Sequence, residues 1–352
     1  MRETMRTTQP IARALSLLLA CGLVGACAAT PGASATSAAR ATAVTTPAAA
    51  TTSRPSVSPT TAADHSPTES SAPVPGGRLA YDRYSPDGNS HVFTANTDGT
   101  DEQALLTSVG GCSRFSPDGR RLEVAAQTSQ GLLFFDLVNP DGSGSVRLDS
   151  PDRTLTLGCA VWSPDASRLA SEGWDDGKPA RNGIYTVRAS DGGGLIRVTT
   201  SPGGGHDVPG DYSPDGRQIV FLRDNLVDEE HNALMVVNAD GSDPRVLTDR
   251  KVGLACRWSP DGKMILTESG GSLLLVPASG GQPIPIRGLD AGSAVKATRG
   301  GWSPDGAWIV FSRVTSTGED IWVMRKDGTD LHQITHTPGV DEEGGEWGVP
   351  AP

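Results

Sequence analysis

Apolar and polar residues alternate in short runs along most of this chain. Arg217-Gln218-Ile219-Val220-Phe221 and Ala307-Trp308-Ile309-Val310-Phe311 are typical, and a period of two predicts half-buried β-strands. Each such run follows the same turn, an aromatic residue and then Ser-Pro-Asp-Gly. The copies begin at Phe115, Tyr212, Trp258 and Trp302, and a fifth, Trp162-Ser163-Pro164-Asp165-Ala166, has lost its glycine. Proline presets φ at the first central position, aspartate bonds its own backbone and glycine accepts positive φ. A second strand such as Ala233-Leu234-Met235-Val236-Val237 or Asp320-Ile321-Trp322-Val323-Met324 runs into a second turn. That turn is Asp98-Gly99, Asp141-Gly142, Asp191-Gly192, Asp240-Gly241, Gly280-Gly281 or Asp327-Gly328, a hairpin signal. A last short strand ends near Leu247-Thr248 or Ile334-Thr335. The aromatic positions lie 47, 50, 46 and 44 residues apart. Four antiparallel strands repeating at that period predict the blades of a β-propeller.

The blade count turns on two irregular copies. Ser85-Pro86-Asp87-Gly88 follows its strand, Leu79-Ala80-Tyr81, so it belongs to a loop between second and third strands and starts no blade. Five first turns then face six second turns. The missing first strand is expected at Gly344-Gly345-Glu346-Trp347-Gly348-Val349-Pro350, which has the pattern leading into Trp302 and Trp258. The expected fold is all-β, a six-bladed propeller over 77–352 in which the strand near Trp347 completes the blade begun at Gly77. Such an overlap leaves no free sheet edge.

Together, the aromatic-Ser-Pro-Asp-Gly turn, the Ile-Val-Phe strand, the Asp-Gly hairpin and the Leu-Thr ending resemble the WD40-like repeats of the TolB propeller family, over residues 77–350. A counterpart of the family's N-terminal α/β domain is not expected, because low-complexity sequence fills the space before Gly77. The resemblance implies a peptidoglycan-associated lipoprotein and the Tol complex as partners.

Ahead of the repeats, Arg2, Arg6 and Arg13 precede an apolar stretch from Ala14 to Val24, too short to span a bilayer comfortably. It ends in Leu23-Val24-Gly25-Ala26-Cys27, which resembles a bacterial lipobox. Residues 1–26 are thus expected to be a lipoprotein signal peptide and Cys27 the lipidated mature N-terminus. Leu18-Leu19-Ala20-Cys21 is the alternative box, and ordinary secretion the alternative route. Residues 27–76 are Ala, Thr, Ser and Pro with hardly a large apolar side chain. That composition predicts a disordered spacer, open to glycosylation.

The chain carries a formal charge of −11, and residues 77–352 hold 25 basic against 38 acidic residues, a balance of −13. Nucleic-acid binding needs a basic footprint and is not expected. Cys112, Cys159 and Cys256 each precede an inner-strand aromatic by two or three residues. A Cys112–Cys159 bridge is conceivable, but inner strands of adjacent blades often stand beyond the Cα limit of about 7 Å, which favours three buried thiols. No Cys-x-x-Cys occurs, which argues against structural zinc.

Propeller geometry puts both kinds of tight turn on one face, and the irregular loops with the links between blades on the other, where binding residues are expected. The candidates there are Glu172, Trp174, Asp175, His206, Asp207, Asp228, Glu229, Glu230, His231, Asp341, Glu342 and Glu343. Trp174 would anchor a partner, and the carboxylates would meet a basic segment or a hard cation. Calcium is a further candidate at Asn96-Thr97-Asp98-Gly99-Thr100-Asp101-Glu102. The twelfth position there is Thr107 rather than glutamate, and a turn already explains the repeated Asp-Gly. Similar propellers precede the hydrolase domain of prolyl-oligopeptidase-type peptidases, but no Gly-x-Ser-x-Gly elbow occurs. Others are lyases of acidic sugars that hold a metal through histidines. Of the six histidines only His206 and His231 share the loop face; His65 is in the spacer, and His91, His332 and His336 lack metal spacing. The expected function is therefore a lipid-anchored, extracytoplasmic, monomeric and non-catalytic binding propeller for an envelope protein or peptide, without a cofactor. The alternative is a metal-dependent carbohydrate lyase or hydrolase with its site in the channel.

Overall fold

The computed structural model describes residues 74–349 apart from 86–88, 106–109, 128–132, 225–232, 249, 254, 288–295 and 316–317. The proposed signal segment, Cys27 and nearly all of the spacer lie outside those residues, as do Asp228, Glu229, Glu230 and His231. The described chain forms six antiparallel sheets of four strands each. Their inner strands are Glu342–Gly348, Gly110–Phe115, Thr156–Trp162, His206–Tyr212, Arg257–Trp258 and Lys296–Trp302, belonging to blades 1 to 6. Each inner strand touches the next, and the sixth returns to the first. The ring is closed.

Closure is made by the last strand. Glu342–Gly348 pairs antiparallel with Arg78–Tyr84, placing Trp347 opposite Leu79. The Ser85 turn links Tyr84 to Ser90 within blade 1, as its phase predicts, with the Ser85 amide donating to Asn89 O at 2.8 Å. The core is divided into six apolar clusters, one in each interface between blades. The closing interface holds Leu79, Tyr81 and Trp347 against Trp308, Val310, Ile321 and Val323.

The turns explain the repeat. In blade 4, Ser213 Oγ donates to Asp215 Oδ1 at 2.6 Å and accepts the Gln218 amide at 2.9 Å, while Asp215 Oδ1 also takes the Arg217 amide at 3.1 Å. The same three bonds recur around Ser116, Ser163, Ser259 and Ser303. The Asp-Gly hairpins are equally self-contained: Asp98 Oδ1 accepts from the Thr100 amide at 3.0 Å and its hydroxyl at 2.6 Å. Glycine is needed in the hairpins for a second reason besides its positive φ. A Cβ on Gly241 (φ 88°) would stand 2.5 Å from Val198 O of the preceding blade.

The inner strands are not regular. In blades 1, 2, 3, 4 and 6 the register slips near the middle of the strand, between Glu343 and Glu346, Gly111 and Arg114, Leu157 and Ala160, Pro209 and Asp211, and Thr298 and Gly301. A β-bulge re-aims side chains and bends the strand. These bulges correct the reading of three thiols. Cys112 and Cys159 sit in the bulges of blades 2 and 3, where their Cα atoms stand 5.6 Å apart and their sulfurs form a disulfide. Cys256 is free and buried.

Candidate functional site

The second strand of a blade carries one position that reaches forward to the next inner strand. In blade 1 it is Asp82, whose Oδ2 accepts the Cys112 amide at 3.3 Å. In blade 5 it is Glu268, accepting the Arg299 amide at 2.5 Å. In blade 6 it is Ser312, accepting the Gly344 amide at 2.8 Å. In blade 3 it is Glu172, which pairs with Nδ1 of His206 in blade 4. Bulges free backbone donors, and Asp82, Glu268 and Ser312 satisfy them, whereas Glu172 holds a side chain instead.

Three arginines of the inner strands meet carboxylates of the closing strand. Arg114 and Arg257 flank the same oxygen of Glu346, at 3.7 and 3.6 Å. Arg299 meets Glu343 at 2.9 Å, and Arg83 donates to the buried Glu342 at 2.7 Å. Burial raises several carboxyl groups well above their usual range. Asp82 is pushed up to about 6, with Glu343 adding to the shift, and Asp211, on the channel wall near Glu346, to about 7. Glu319, beside Glu343, is pushed up to about 8, and Glu123, Glu268 and Glu346 also shift upward.

At the loop end, Glu172, Trp174 and His206 come together. The ring of Trp174 stands 6.4 Å from that of His206, and a Cβ on Gly158 would lie 3.0 Å from the Trp174 ring, which is half-buried rather than exposed. Burial opposes charge on His206, yet Glu172, with Asp224 and Asp176 behind it, raises its pKa. The other candidates have internal duties. Asp175 accepts the amides of Gly177 and Lys178 and pairs with Arg181, so it organises its own loop. Asp207 is buried in a two-pronged pair with Arg223 at 2.7 and 2.8 Å. Glu342 and Glu343 lie on the closing strand, buried on Arg83 and Arg299, rather than on a solvated rim. Asp341 is exposed and accepts the Glu319 amide at 3.2 Å. Among the described residues, no three His, Cys, Asp or Glu side chains are disposed to hold a metal ion.

Residues 66–291 match the TolB beta propeller domain. The chain belongs to the TolB propeller family. Its curated relatives include an uncharacterized protein, Atu1656, of Agrobacterium fabrum, 29% identical over 38% of this chain and 44% of that protein. The Tol-Pal system protein TolB of Anaeromyxobacter dehalogenans is 31% identical over 31% of this chain and 25% of its own. The chain therefore spans less than half the length of these two relatives. Among solved structures, TolB from Acinetobacter baumannii superposes with a TM-score of 0.62 at 18% identity, covering 77% of this chain and 66% of that one. A putative TolB from Agrobacterium tumefaciens gives 0.58 at 16% identity, over 77% and 98%. At such identities the likeness establishes the propeller fold of the TolB family and no more.

Proposed function

We propose that this TolB-family propeller is a non-catalytic platform at the bacterial cell envelope that binds a segment of an envelope protein through its loop face. The observation that carries this reading is the contrast between the two faces. On the turn face the same serine–aspartate bonds repeat from blade to blade and satisfy their own polar groups. On the loop face, among the described residues, Trp174 and the Glu172–His206 pair occur in one blade interface, beside the exposed Asp176. Non-repeated groups on a rigid scaffold are where specificity resides. On the closing strand Glu346 is flanked by Arg114 and Arg257 and Glu343 pairs with Arg299, which favours a scaffold over a catalytic constellation. The relatives named as Tol-Pal system proteins suggest an envelope protein as partner.

The Cys112–Cys159 disulfide supports an oxidising, extracytoplasmic location. Cys27 would supply the lipid anchor, with residues 27–76 as spacer. Replacing Cys27→Ser should release the protein from the membrane fraction in cells; continued retention would rule out lipidation there. The platform itself is tested by a photo-crosslinking residue placed at Asp176 on the loop face or at Asp261 on the turn face. Partner adducts are expected from the first position.

A further inference from the structure

Arg313 stands apart from the other arginines. It lies two residues from the loop end of the second strand of blade 6, Trp308–Thr315, and its Cζ is 4.5 Å from the centre of the Trp322 ring on the third strand. Phe311 and Trp322 pack with Leu266 and Leu273 of blade 5, and alternation along the strand turns Arg313 to the same side. Among the described residues Arg313 makes no hydrogen bond and no ion pair. Every other described arginine that is not exposed donates to or pairs with a carboxylate or a carbonyl. Asp320 stands opposite in register, but the charges acting on it are those of Glu342, His336 and Asp341. Nε of Arg313 is enclosed and has no acceptor. The two terminal nitrogens, equally without acceptors, are not enclosed, and the residue is partly exposed. Burial lowers the pKa of this guanidinium with no carboxylate to offset it, whereas at Arg83 burial is outweighed by Glu102 and Glu342 and the pKa rises.

We infer that Arg313 receives one carboxylate, carried by the polypeptide bound at the loop face, on its two terminal nitrogens. The inference rests on the loop-face reading above and gives the chemistry of one contact within it. Trp322 backs the guanidinium through a cation–π contact. The free edge of the fork matches a planar carboxylate with two parallel N–H···O bonds. A partly desolvated cation without acceptors is costly, and an anion that supplies two acceptors removes that cost. Glu319 and Asp320 outnumber Lys296 on the adjoining strands. An acidic surrounding of this kind suits the single charge of a carboxylate better than the double charge of a phosphate.

The test uses the full chain and phenylglyoxal, which adds across the terminal nitrogens of a guanidinium, with the modified arginines identified by peptide mass spectrometry. Arg313 is expected to react. N-acetylglycine at about 50 mM should slow that reaction about sixfold, as a site with a dissociation constant of about 10 mM would. Exposed Arg153 should be unaffected, and the neutral N-acetylglycinamide should protect neither residue. An Arg313 that does not react, equal effects of acid and amide, equal protection of Arg153, or protection by phosphate but not by N-acetylglycine would overturn the carboxylate site. Its source is read in cells, with a photoreactive residue in place of exposed His336, whose charge acts on Asp320. Arg313→Gln should cut the adduct from that position about threefold or more without lowering the melting temperature. An unchanged yield, or no adduct at position 336, would overturn the polypeptide as the source of the carboxylate. Loop-face binding itself is read separately, at position 176.

Discussion

Removal of residues 340–352 is expected to abolish the cooperative unfolding transition. The deletion takes away the strand that pairs with Arg78–Tyr84 and leaves blade 1 with three strands and an open edge. It also removes Trp347, packed with Leu79, Tyr81, Val310 and Ile321 in the closing interface. Truncating a buried tryptophan alone costs about 3–5 kcal/mol, a large share of a typical stability of about 5–15 kcal/mol. Arg299 would lose its buried partner Glu343 as well, while Arg83 would keep only the carboxylate of Glu102, and a stranded half of a buried pair is strongly destabilising. Thermal melting followed by circular dichroism checks this. A truncated chain that melts like the full one would mean that the ring does not depend on its last strand.

The second large effect runs against the common expectation that stability peaks near neutrality. Melting temperature is expected to rise as pH falls from about 8 to about 5. In the unfolded chain the carboxyl groups are ionised across that range. In the folded chain burial lifts Asp82 to about 6, Asp211 to about 7 and Glu319 to about 8, so each takes up a proton on the way down. A group whose folded pKa is raised gives its full stability below the unfolded value and loses it as pH climbs through the folded value. His206 acts in the same direction, because its folded pKa is also raised. Each tenfold gain in proton affinity on folding corresponds to about 1.4 kcal/mol. The combined effect is at least about 2 kcal/mol, or roughly 5 °C or more in melting temperature. Below this window the trend reverses, because carboxylates held low by hydrogen bonds begin to protonate; Asp152, bonded by Thr154 and Arg181, is held down to about 2. Asp211→Asn should flatten the rise. A melting temperature that is flat or falls between about pH 8 and 5 would show that these groups remain ionised in the folded protein.

The architecture was legible in the sequence because turns are local. The phase of each Ser-Pro-Asp-Gly, including the displaced copy at Ser85, depends only on its neighbours, and Trp347 betrayed the last strand by its flanking pattern. The axial chemistry was not legible, because it depends on bulges. Cys112 and Cys159 come within 5.6 Å where both inner strands slip register. A signal for the charged positions was present, however. Asp82, Glu172 and Glu268 each interrupt a second strand at the same place, three residues after a buried leucine or isoleucine, at Leu79, Leu169 and Ile265. A charged residue at a repeated place in otherwise apolar strands indicates a partner on the neighbouring blade. Acidity of the loops was by contrast a poor guide, since Asp175, Asp207 and Glu342 are each committed to an arginine of the same molecule.

The claim that recognition resides on the loop face is tested most directly by crosslinking in living cells. The photoreactive residue replaces exposed Asp176 in one strain and exposed Asp261, on the turn face, in another. The account predicts a discrete adduct with an envelope protein, identified by mass spectrometry, from position 176 and none from position 261. Adducts arising only from position 261, or from neither position, would contradict it.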